Sequence, residues 1–397
     1  MATIKVYFDN AATTPLDPAV FKAMEPFLKN QFGNASSLHF AGRDAKNAVD
    51  QAKQKIASFL GCSAEEVYFT SGATESDNMA IWGPVEAIKR TNSNLKPHII
   101  VSAIEHDAVL EPAKQLARDG ADVTFVKPNS KGLMDVNSIC KEIKDNTVLI
   151  SVMYANNEIG TTQPIAEIGK EIKKINDGRK NKIYFHTDAT QAAGYLDMNV
   201  KKLGVDLLSF SAHKIYGPKG VGVLYLKKNT PFRAQIFGGH QQNNVRPGTY
   251  NVAGIVGMAK AVDIIMKTQS QKKNNKLKSL RDYLVRGIKS KIDNISVNGD
   301  MEKRLHSNAS IIFEGAEGES ILLMLSQKGI AVSTGSACSS GSLEPSHVLS
   351  AIGVKPELAH GSIRFSLGRF NNKKEVDYLL RVLPPIILRL REMSPIK

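Results

Sequence analysis

Hydrophobic and polar positions along the chain follow two successive patterns, and together these predict an α/β fold. From about residue 44 to residue 260, short β-branched runs alternate with amphipathic helical stretches, which is typical of a mostly parallel sheet flanked by helices. One helical face over residues 45–60 ends at Gly61, a residue type that commonly ends helices. Beyond Asn251 the pattern changes to long amphipathic helices with shorter strands, which indicates a smaller α+β region.

Seven short apolar runs predict the strands of one broad sheet. They span residues 67–70, 98–102, 123–126, 148–154, 183–187, 207–210 and 221–226. Only residues 212–220 separate the last two runs, too few for a helical crossover, so we expect the last strand to be antiparallel. We therefore predict a large domain over residues 15–260 and a small C-terminal α+β domain over residues 261–397, which also includes residues 1–14.

The composition is that of a globular protein with an excess of basic residues. Hydrophobic residues make up 42% and charged residues 23% of the 397 positions, which supports a sizeable buried core. The net charge of +14 would suit an acidic partner or nucleic acid. However, the densest basic run, residues 272–278, leads into apolar residues at helical spacing, and aromatic residues do not interleave with basic ones. We therefore expect a solvated helix face and no direct nucleic-acid binding.

The cysteines and the N-terminal segment indicate a reducing compartment. The three cysteines, Cys62, Cys140 and Cys338, cannot form a disulfide framework, and their odd number leaves at least one thiol unpaired. The first ten residues contain neither a signal-peptide core nor an arginine-rich transit segment, and no apolar run approaches the roughly 18 residues of a membrane span. These observations predict a cytoplasmic protein without a membrane partner.

Two residues at predicted strand ends carry the strongest chemical signal. Asp188 comes directly after the run at 183–187, and Lys214 follows the next run, at 207–210. A lysine amine can form a Schiff base with the aldehyde of pyridoxal phosphate, and a carboxylate can hold the pyridine nitrogen of that cofactor protonated. The pair therefore predicts a pyridoxal phosphate enzyme.

Further polar groups follow other predicted strands, where open α/β sheets bind ligands. The turn at Ala73 and Thr74 opens a helix and suits a phosphate, although such a turn is more often only a helix cap. His106 could stack on a cofactor ring or be an ordinary surface or core histidine. Asn157 could bind a cofactor hydroxyl or merely form a turn. Each structural explanation is credible alone, but their coincidence at strand ends favours one site.

Cys338 and Arg364 point to the reaction and the substrate. Cys338 lies in a run of small and polar residues at 333–342, which predicts an exposed, mobile loop and a candidate nucleophile. Cys62 and Cys140 are better explained by packing. Arg364 alternates with apolar neighbours, so it either binds a substrate carboxylate or forms a structural salt bridge.

These segments together resemble the cysteine desulfurases of the NifS/IscS type, within the class V aminotransferase family of fold-type I pyridoxal phosphate enzymes. The resemblance covers nearly the whole chain. The motifs that carry it lie at residues 7–14, 71–75, 156–160, 186–191, 211–214, 246–249, 335–338 and 364–369. It implies an aspartate-aminotransferase-like α/β fold of type I, with the mobile cysteine loop on the small domain.

The resemblance also implies a role for each matching residue. Lys214 would be the Schiff-base lysine and the acid/base that moves protons, and Asp188 would pair with the pyridine nitrogen. His106 would stack on the ring and assist catalysis, and Arg364, with Asn10, would bind the substrate carboxylate. The remaining cofactor contacts would come from Ala73, Thr74, Asn157, Gln191, Ser211 and His213, with Thr249 reaching the phosphate of the partner subunit in a homodimer.

The implied reaction converts L-cysteine to L-alanine and leaves the sulfur as a persulfide on Cys338. An iron–sulfur scaffold or another acceptor protein would then take the sulfur. No metal site of the chain's own is implied, but Cys338 would contact a cluster on such a partner. The alternative is a selenocysteine lyase or another class V aminotransferase-type enzyme. Cys338 favours the desulfurase, because an aminotransferase has no use for a mobile loop thiol.

Overall fold

The structure is a computed structural model that describes residues 5–92, 94–268, 271–335 and 345–393. Within these ranges the strands are β1 (Val6–Tyr7), β2 (Val67–Thr70), β3 (His98–Ser102), β4 (Asp122–Val126), β5 (Thr147–Ser151), β6 (Tyr184–Asp188), β7 (Leu207–Ser211), β8 (Gly222–Leu226), β9 (Ile295–Val297), β10 (Asn308–Phe313), β11 (Ile330–Ala331) and β12 (Ser362–Ser366). The α-helices are α1 (Pro18–Lys29), α2 (Phe40–Leu60), α3 (Ala73–Thr91), α4 (Asp107–Arg118), α5 (Val136–Lys141), α6 (Ile165–Asn176), α7 (Val200–Leu203), α8 (Val252–Thr268), α9 (Gln271–Lys289), α10 (Gly318–Gln327), α11 (His347–Ala351), α12 (Pro356–Ala359) and α13 (Lys373–Met393).

The strands from β2 to β8 form one seven-stranded sheet in the order β2-β8-β7-β6-β5-β3-β4. The five strands from β3 to β7 pair in parallel, whereas β8 is antiparallel to both of its neighbours. The connection between β7 and β8 is too short for a helical crossover, so the chain turns back beside its own strand. The predicted mostly parallel sheet with an antiparallel last strand is confirmed.

Helices cover both faces of this sheet because its central strands are apolar on both sides. All residues of β3, β5 and β7 are buried. One face packs against α2, α6 and α8, and the opposite face packs against α3 and α4. Helix α2 ends where the sequence predicts, because Gly61 adopts a left-handed conformation with φ 69° at its C-cap. Among the described residues, no helix is both long and apolar enough to cross a membrane.

A second and smaller sheet lies in the C-terminal part of the chain. Strands β9, β10 and β12 pair antiparallel, and their apolar side chains pack with those of α9, α10 and α13 in a separate core. Strand β1 pairs in parallel with β11, so the first described residues join this part of the molecule. The predicted boundary at residue 260 falls inside α8, whose residues up to Ile265 belong to the core of the large sheet. The division into two domains stays a prediction.

Candidate active site

A cleft of about 720 Å³ opens at the carboxyl ends of the parallel strands. Loops that follow β2, β3, β5, β6 and β7 supply its walls, as expected for an open α/β sheet. Arg364 in the middle of β12 and residues of the N-terminal segment close the other side. Ten of the sequence-predicted site residues line this cleft: Ala73, Thr74, His106, Asn157, Asp188, Gln191, Ser211, His213, Lys214 and Arg364.

Lys214 and Asp188 reach the cleft from neighbouring strand ends. Asp188 is the last residue of β6, and its Oδ1 accepts a hydrogen bond of 2.8 Å from the N–H of Thr190. Lys214 ends the 3₁₀ turn after β7, and its Nζ donates to the backbone oxygens of Ala11 and Ala12 at 2.6 and 2.8 Å. The N-terminal segment therefore holds the lysine amine at the cleft.

The N-terminus of α3 forms one end of the cleft. The backbone of Gly72 passes so close to β8 that a Cβ atom at Gly222 would lie 2.5 Å from the carbonyl carbon of Gly72. Glycine at position 222 therefore allows the turn before Ala73 and Thr74 to pack directly against β8. The first N–H groups of a helix have no partner within the helix, so this end of the cleft suits an anion.

His213 lies beside this helix terminus. Its Nδ1 is 3.1 Å from the hydroxyl of Thr13. Burial, with help from the positive charges of Lys214 and Lys219, lowers the pKa of His213 to about 4. The imidazole is therefore neutral at pH 7 and can offer one N–H donor to a ligand or neighbour.

His106, Asn157 and Gln191 lie along the walls of the cleft. His106 caps α4, since its Nδ1 accepts from the N–H of Ala108 at 3.1 Å. The side chain of Gln191 donates to the backbone oxygen of Ala11 at 3.0 Å. The Oδ1 atom of Asn157 is buried and has no hydrogen-bond partner. A cap explains the position of His106, but nothing in the described chain satisfies the Asn157 amide oxygen.

Arg364 satisfies part of its bonding capacity within the protein. Its Nη2 donates to Asp9 Oδ1 at 2.9 Å, and its Nη1 donates to the backbone oxygens of Asn157 and Gly335 at 2.9 and 3.3 Å. Its Nε is buried without a partner. The sequence allowed either a salt bridge or a substrate contact for Arg364. The salt bridge to Asp9 is present, and Arg364 also lines the cleft.

Three predicted site residues do not line the described cleft. The amide of Asn10 donates to the backbone oxygen of Ser366 at 2.9 Å, and Asn10 is not among the residues that line the cleft. Thr249 is exposed on the surface. Cys338 lies outside the described residues, as does the rest of segment 336–344. Its flanking residues Gly335 and Ser346 both line the cleft.

The other two thiols are poor nucleophiles. Burial raises the pKa of Cys62 to about 12 and raises that of Cys140 above its ordinary value. Cys62 packs against the core of the large sheet. Both observations agree with the packing roles that the sequence predicts.

Sequence reasoning missed three buried carboxyl groups, of which Asp77 and Glu158 line the cleft. Asp77 and Glu105 are fully buried, and Glu158 is nearly so. Glu158 Oε2 accepts from the hydroxyl of Ser346 at 2.6 Å, which ties the far flank of segment 336–344 to the cleft wall. Asp77 and Glu158 come soon after Thr74 and Asn157, which the sequence analysis names. They were missed because a charged residue among polar neighbours in a helix or turn is normally exposed.

The polar groups of the cleft fit the cofactor that the resemblance implies. Buried atoms of Asp77, Asn157 and Arg364 face the cleft without hydrogen-bond partners, and native proteins rarely leave such groups unsatisfied. A helix N-terminus, a lysine and a carboxylate are the groups that a phosphate, an aldehyde and a pyridine nitrogen require. The site thus offers a place for each end of pyridoxal phosphate.

Fold and cleft together define an α/β protein built to hold an anionic small molecule beside a lysine. The chain belongs to the aminotransferase class-V family, whose pattern matches residues 6–379. A cysteine desulfurase IscS from Dictyoglomus turgidum is 50% identical over 99% of this chain and 97% of its own length. One from Methanosarcina thermophila is 47% identical over 98% of this chain and 94% of its own. The predicted family is confirmed.

Solved structures agree with the sequence relatives. A NifS-like protein superposes with a TM-score of 0.89 at 37% identity and covers 97% of this chain and 100% of its own. SspA in complex with cysteine superposes with a TM-score of 0.80 at 35% identity and covers 93% of this chain and 100% of its own. The predicted fold class is confirmed.

Proposed function

We propose that this protein is a pyridoxal-phosphate-dependent cysteine desulfurase that converts L-cysteine to L-alanine and keeps the sulfur as a persulfide on Cys338. The observation that carries the proposal is the single cleft that Lys214, Asp188 and Arg364 line together. The relatives support the same chemistry, since several are named cysteine desulfurases and SspA was solved with cysteine.

The cleft residues divide between the two ends of the cofactor. Asp188 would hold the pyridine nitrogen, and His106 would contact the ring. Asn157 and Gln191 serve the ring oxygen, while the backbone at Ala73 and Thr74, with Ser211 and His213, binds the phosphate. When bound, pyridoxal phosphate supplies an electron sink for the α-carbon of the substrate.

Lys214 performs the proton transfers. Its amine would hold the cofactor through the aldehyde and would act as a base toward the bound substrate. The neutral amine then removes the α-proton and later returns a proton to the carbon that loses sulfur. The backbone oxygens of Ala11 and Ala12, which accept from Nζ at 2.6 and 2.8 Å, keep the amine within the cleft during these steps.

Cys338 removes the sulfur. Its thiolate attacks the substrate Sγ, so that an S–S bond forms as the Cβ–Sγ bond breaks and the bonding electron pair stays with the carbon. Protonation of that carbon yields alanine, and Cys338 retains the terminal sulfur. Because Gly335 and Ser346 line the cleft, the segment that carries Cys338 begins and ends beside the reacting groups.

Arg364 binds the substrate carboxylate. The guanidinium lines the cleft, and its Nε atom is buried without a partner, so a donor remains for a ligand. A substrate carboxylate together with Asp9 would also balance the positive charge of the Arg364 guanidinium more fully than Asp9 does alone.

The decisive experiment compares Cys338→Ser with Cys140→Ser. In the presence of cofactor, L-cysteine and a thiol reductant, we expect Cys338→Ser to release no sulfide and to carry no persulfide. Its visible cofactor absorption should equal that of the wild type. Cys140→Ser should retain both activities, since burial keeps that thiol unreactive. Desulfuration by Cys338→Ser at the wild-type rate would refute the role given to this residue.

We also propose that the protein is a homodimer in which Thr249 reaches the cofactor phosphate of the partner subunit. Thr249 is exposed, and several large apolar side chains near the start of the chain are exposed as well, including Phe32 at 83% and Leu38 at 90%. Sedimentation of the holoenzyme should give twice the monomer mass. A monomer with full activity would refute this arrangement.

An acceptor protein completes the reaction, and we propose an iron–sulfur scaffold or another sulfur carrier in the cytoplasm. The unpaired thiols of Cys62 and Cys140 suit a reducing compartment. Trapping the persulfide during purification from the native cell should recover the acceptor as a complex with the protein.

A further inference from the structure

A second buried carboxyl, Asp77, lies on the face of the sheet that carries Asp188. His186 and Asp188 are two positions apart on β6, so their side chains project from the same face of the sheet. Ser209 of β7 is the register partner of Asp188. Helix α3 packs over β6 and β7 and brings Asp77 against them. We call Asp77, His186, Asp188 and Ser209 the buried polar layer.

Hydrogen bonding within the buried polar layer is uneven. His186 is satisfied at both nitrogens, since Nδ1 lies 2.9 Å from the hydroxyl of Ser151 and Nε2 lies 3.2 Å from that of Ser209. Asp188 accepts the N–H of Thr190, a bond that stabilises a carboxylate. By contrast, neither oxygen of Asp77 has a hydrogen-bond partner, and His186 Nε2 lies 3.4 Å from its Oδ1.

The charges that face Asp77 oppose its ionisation. Burial, and then the charge of Asp188, raise the pKa of Asp77 well above its ordinary range; the nearby hydroxyl of Ser209 opposes this rise, and the charge of Glu105 adds to it. Burial lowers the pKa of His186 to about 3, so this histidine supplies no positive charge at pH 7. Two neighbouring carboxylates in a buried site do not both stay ionised unless a cation compensates them.

On the basis of the proposed function, we propose that Asp77 is a positioning residue whose carboxyl stays protonated, so that Asp188 is the anion that the buried polar layer presents to the cofactor nitrogen. A charged Asp77 would compete with Asp188 for that proton and would also lack the hydrogen bonds that a buried carboxylate needs. As a neutral acid, Asp77 fills its place beside His186 in the buried polar layer without adding charge.

Infrared spectroscopy tests the protonation state directly. The full-length protein is labelled with ¹³C at aspartate side-chain carboxyls, which separates aspartate bands from those of Glu105. We expect an isotope-shifted C=O band of a protonated carboxylic acid at pH 7 in the wild type. This band should disappear in Asp77→Asn and persist in Asp188→Asn. Absence of the band in the wild type, or its persistence in Asp77→Asn, would overturn the proposal.

Cofactor binding tests the positioning role. Asp77→Asn keeps the shape and the neutral charge, so its dissociation constant for pyridoxal phosphate should stay within about threefold of the wild type and its visible band should keep the same pH dependence. Asp77→Ala should bind at least about tenfold more weakly, because it opens a cavity in the buried polar layer. If Asp77→Asn changes the pH dependence of the visible band as much as Asp188→Asn does, Asp77 is charged and the proposal is wrong.

Two controls keep the outcome interpretable. If Asp77→Asn does not fold, Asp77→Ala takes its place in the infrared measurement, and persistence of the acid band in that variant would overturn the proposal. The infrared measurement needs no cofactor. If no visible band dependent on Lys214 forms with pyridoxal phosphate, the proposed function fails while the protonation result stands.

Discussion

Two clefts lie at opposite edges of the seven-stranded sheet and differ in the polar groups that line them. The cleft at the amino ends has a volume of about 1040 Å³, against about 720 Å³ for the cleft at the carboxyl ends. Lysines are frequent in the amino-edge cleft. Two of them form ion pairs, Lys202 with Asp197 and Lys227 with Asp206, both at 2.8 Å.

Unsatisfied buried atoms distinguish the two clefts better than size does. At the carboxyl edge, side-chain atoms of Asp77, Asn157, Thr190 and Arg364 are buried without partners. None of the residues that line the amino-edge cleft has such an atom among the described residues. Solvated lysines reach water and need no ligand, whereas buried polar groups without partners indicate where a ligand completes the structure.

The largest expected difference between the clefts concerns their lysines. Lys214→Ala should abolish the visible cofactor band and reduce cysteine turnover by about 10³-fold or more, because the amine performs the proton transfers. Lys201→Ala, in the amino-edge cleft, should leave both unchanged. Absorption spectra and alanine production measure the two variants. Equal losses in both would mean that the clefts do not differ as we propose.

The aspartates provide the next comparison. Asp188→Asn should lower kcat by about 10² to 10³-fold, since it removes a fixed charge from the cofactor nitrogen. Asp197→Asn, which removes the partner of Lys202, should leave kcat within about twofold, because an exposed ion pair contributes little. Steady-state kinetics with saturating cofactor distinguish the two. Normal turnover by Asp188→Asn would place the essential charge elsewhere.

Arg364 should affect substrate binding more than turnover. Arg364→Lys should raise KM for L-cysteine at least about tenfold, because a lysine cannot reproduce the planar donor pair. Arg389→Lys, at an exposed position of α13, serves as the control and should leave KM unchanged. An unchanged KM in Arg364→Lys would mean that this arginine has a structural role, through its contacts with Asp9 and the backbone, and does not bind the substrate.

The smallest expected effect concerns stability rather than activity. Burial raises the pKa of Glu105 from 4.5 to about 8, so the folded protein holds a proton that the unfolded chain releases between these values. Glu105 thus contributes stability that is fully present below about pH 4.5 and is lost as the pH rises toward about 8. Glu105→Gln should remove this decline, on the order of a few kcal/mol. Denaturant unfolding at several pH values measures it, and an unchanged pH dependence would contradict the raised pKa.

Local patterns predicted the sheet and most of the cleft because both depend on short segments. Alternating apolar runs determine the strands, and parallel strands bring their carboxyl ends to one edge, so Asp188 and Lys214 had to lie close together. The family resemblance supplied their proposed roles. Strand limits differ by a few residues, as with β5, which ends at Ser151 where the pattern extended to residue 154.

The remaining parts depend on contacts between distant segments, which a local pattern does not contain. Asp9 and Arg364 are 355 positions apart in sequence yet form a direct ion pair. Asp77 lies among polar neighbours in α3, which favours an exposed helix face, but the docking of α3 on β6 and β7 buries it completely. Cys338 lies outside the described residues, so its proposed role rests on the sequence and the relatives.

The pairing of β1 with β11 has a consequence for the order in which the protein matures on the ribosome. Val6 lies opposite Ile330, and the neighbouring residues Ala11 and Ala12 hold the amine of Lys214. The segment at β1 therefore waits until β11 has been synthesised before it can take its place. A nascent chain can build the large sheet early, but it cannot complete a site that acts on cysteine until β11 has followed.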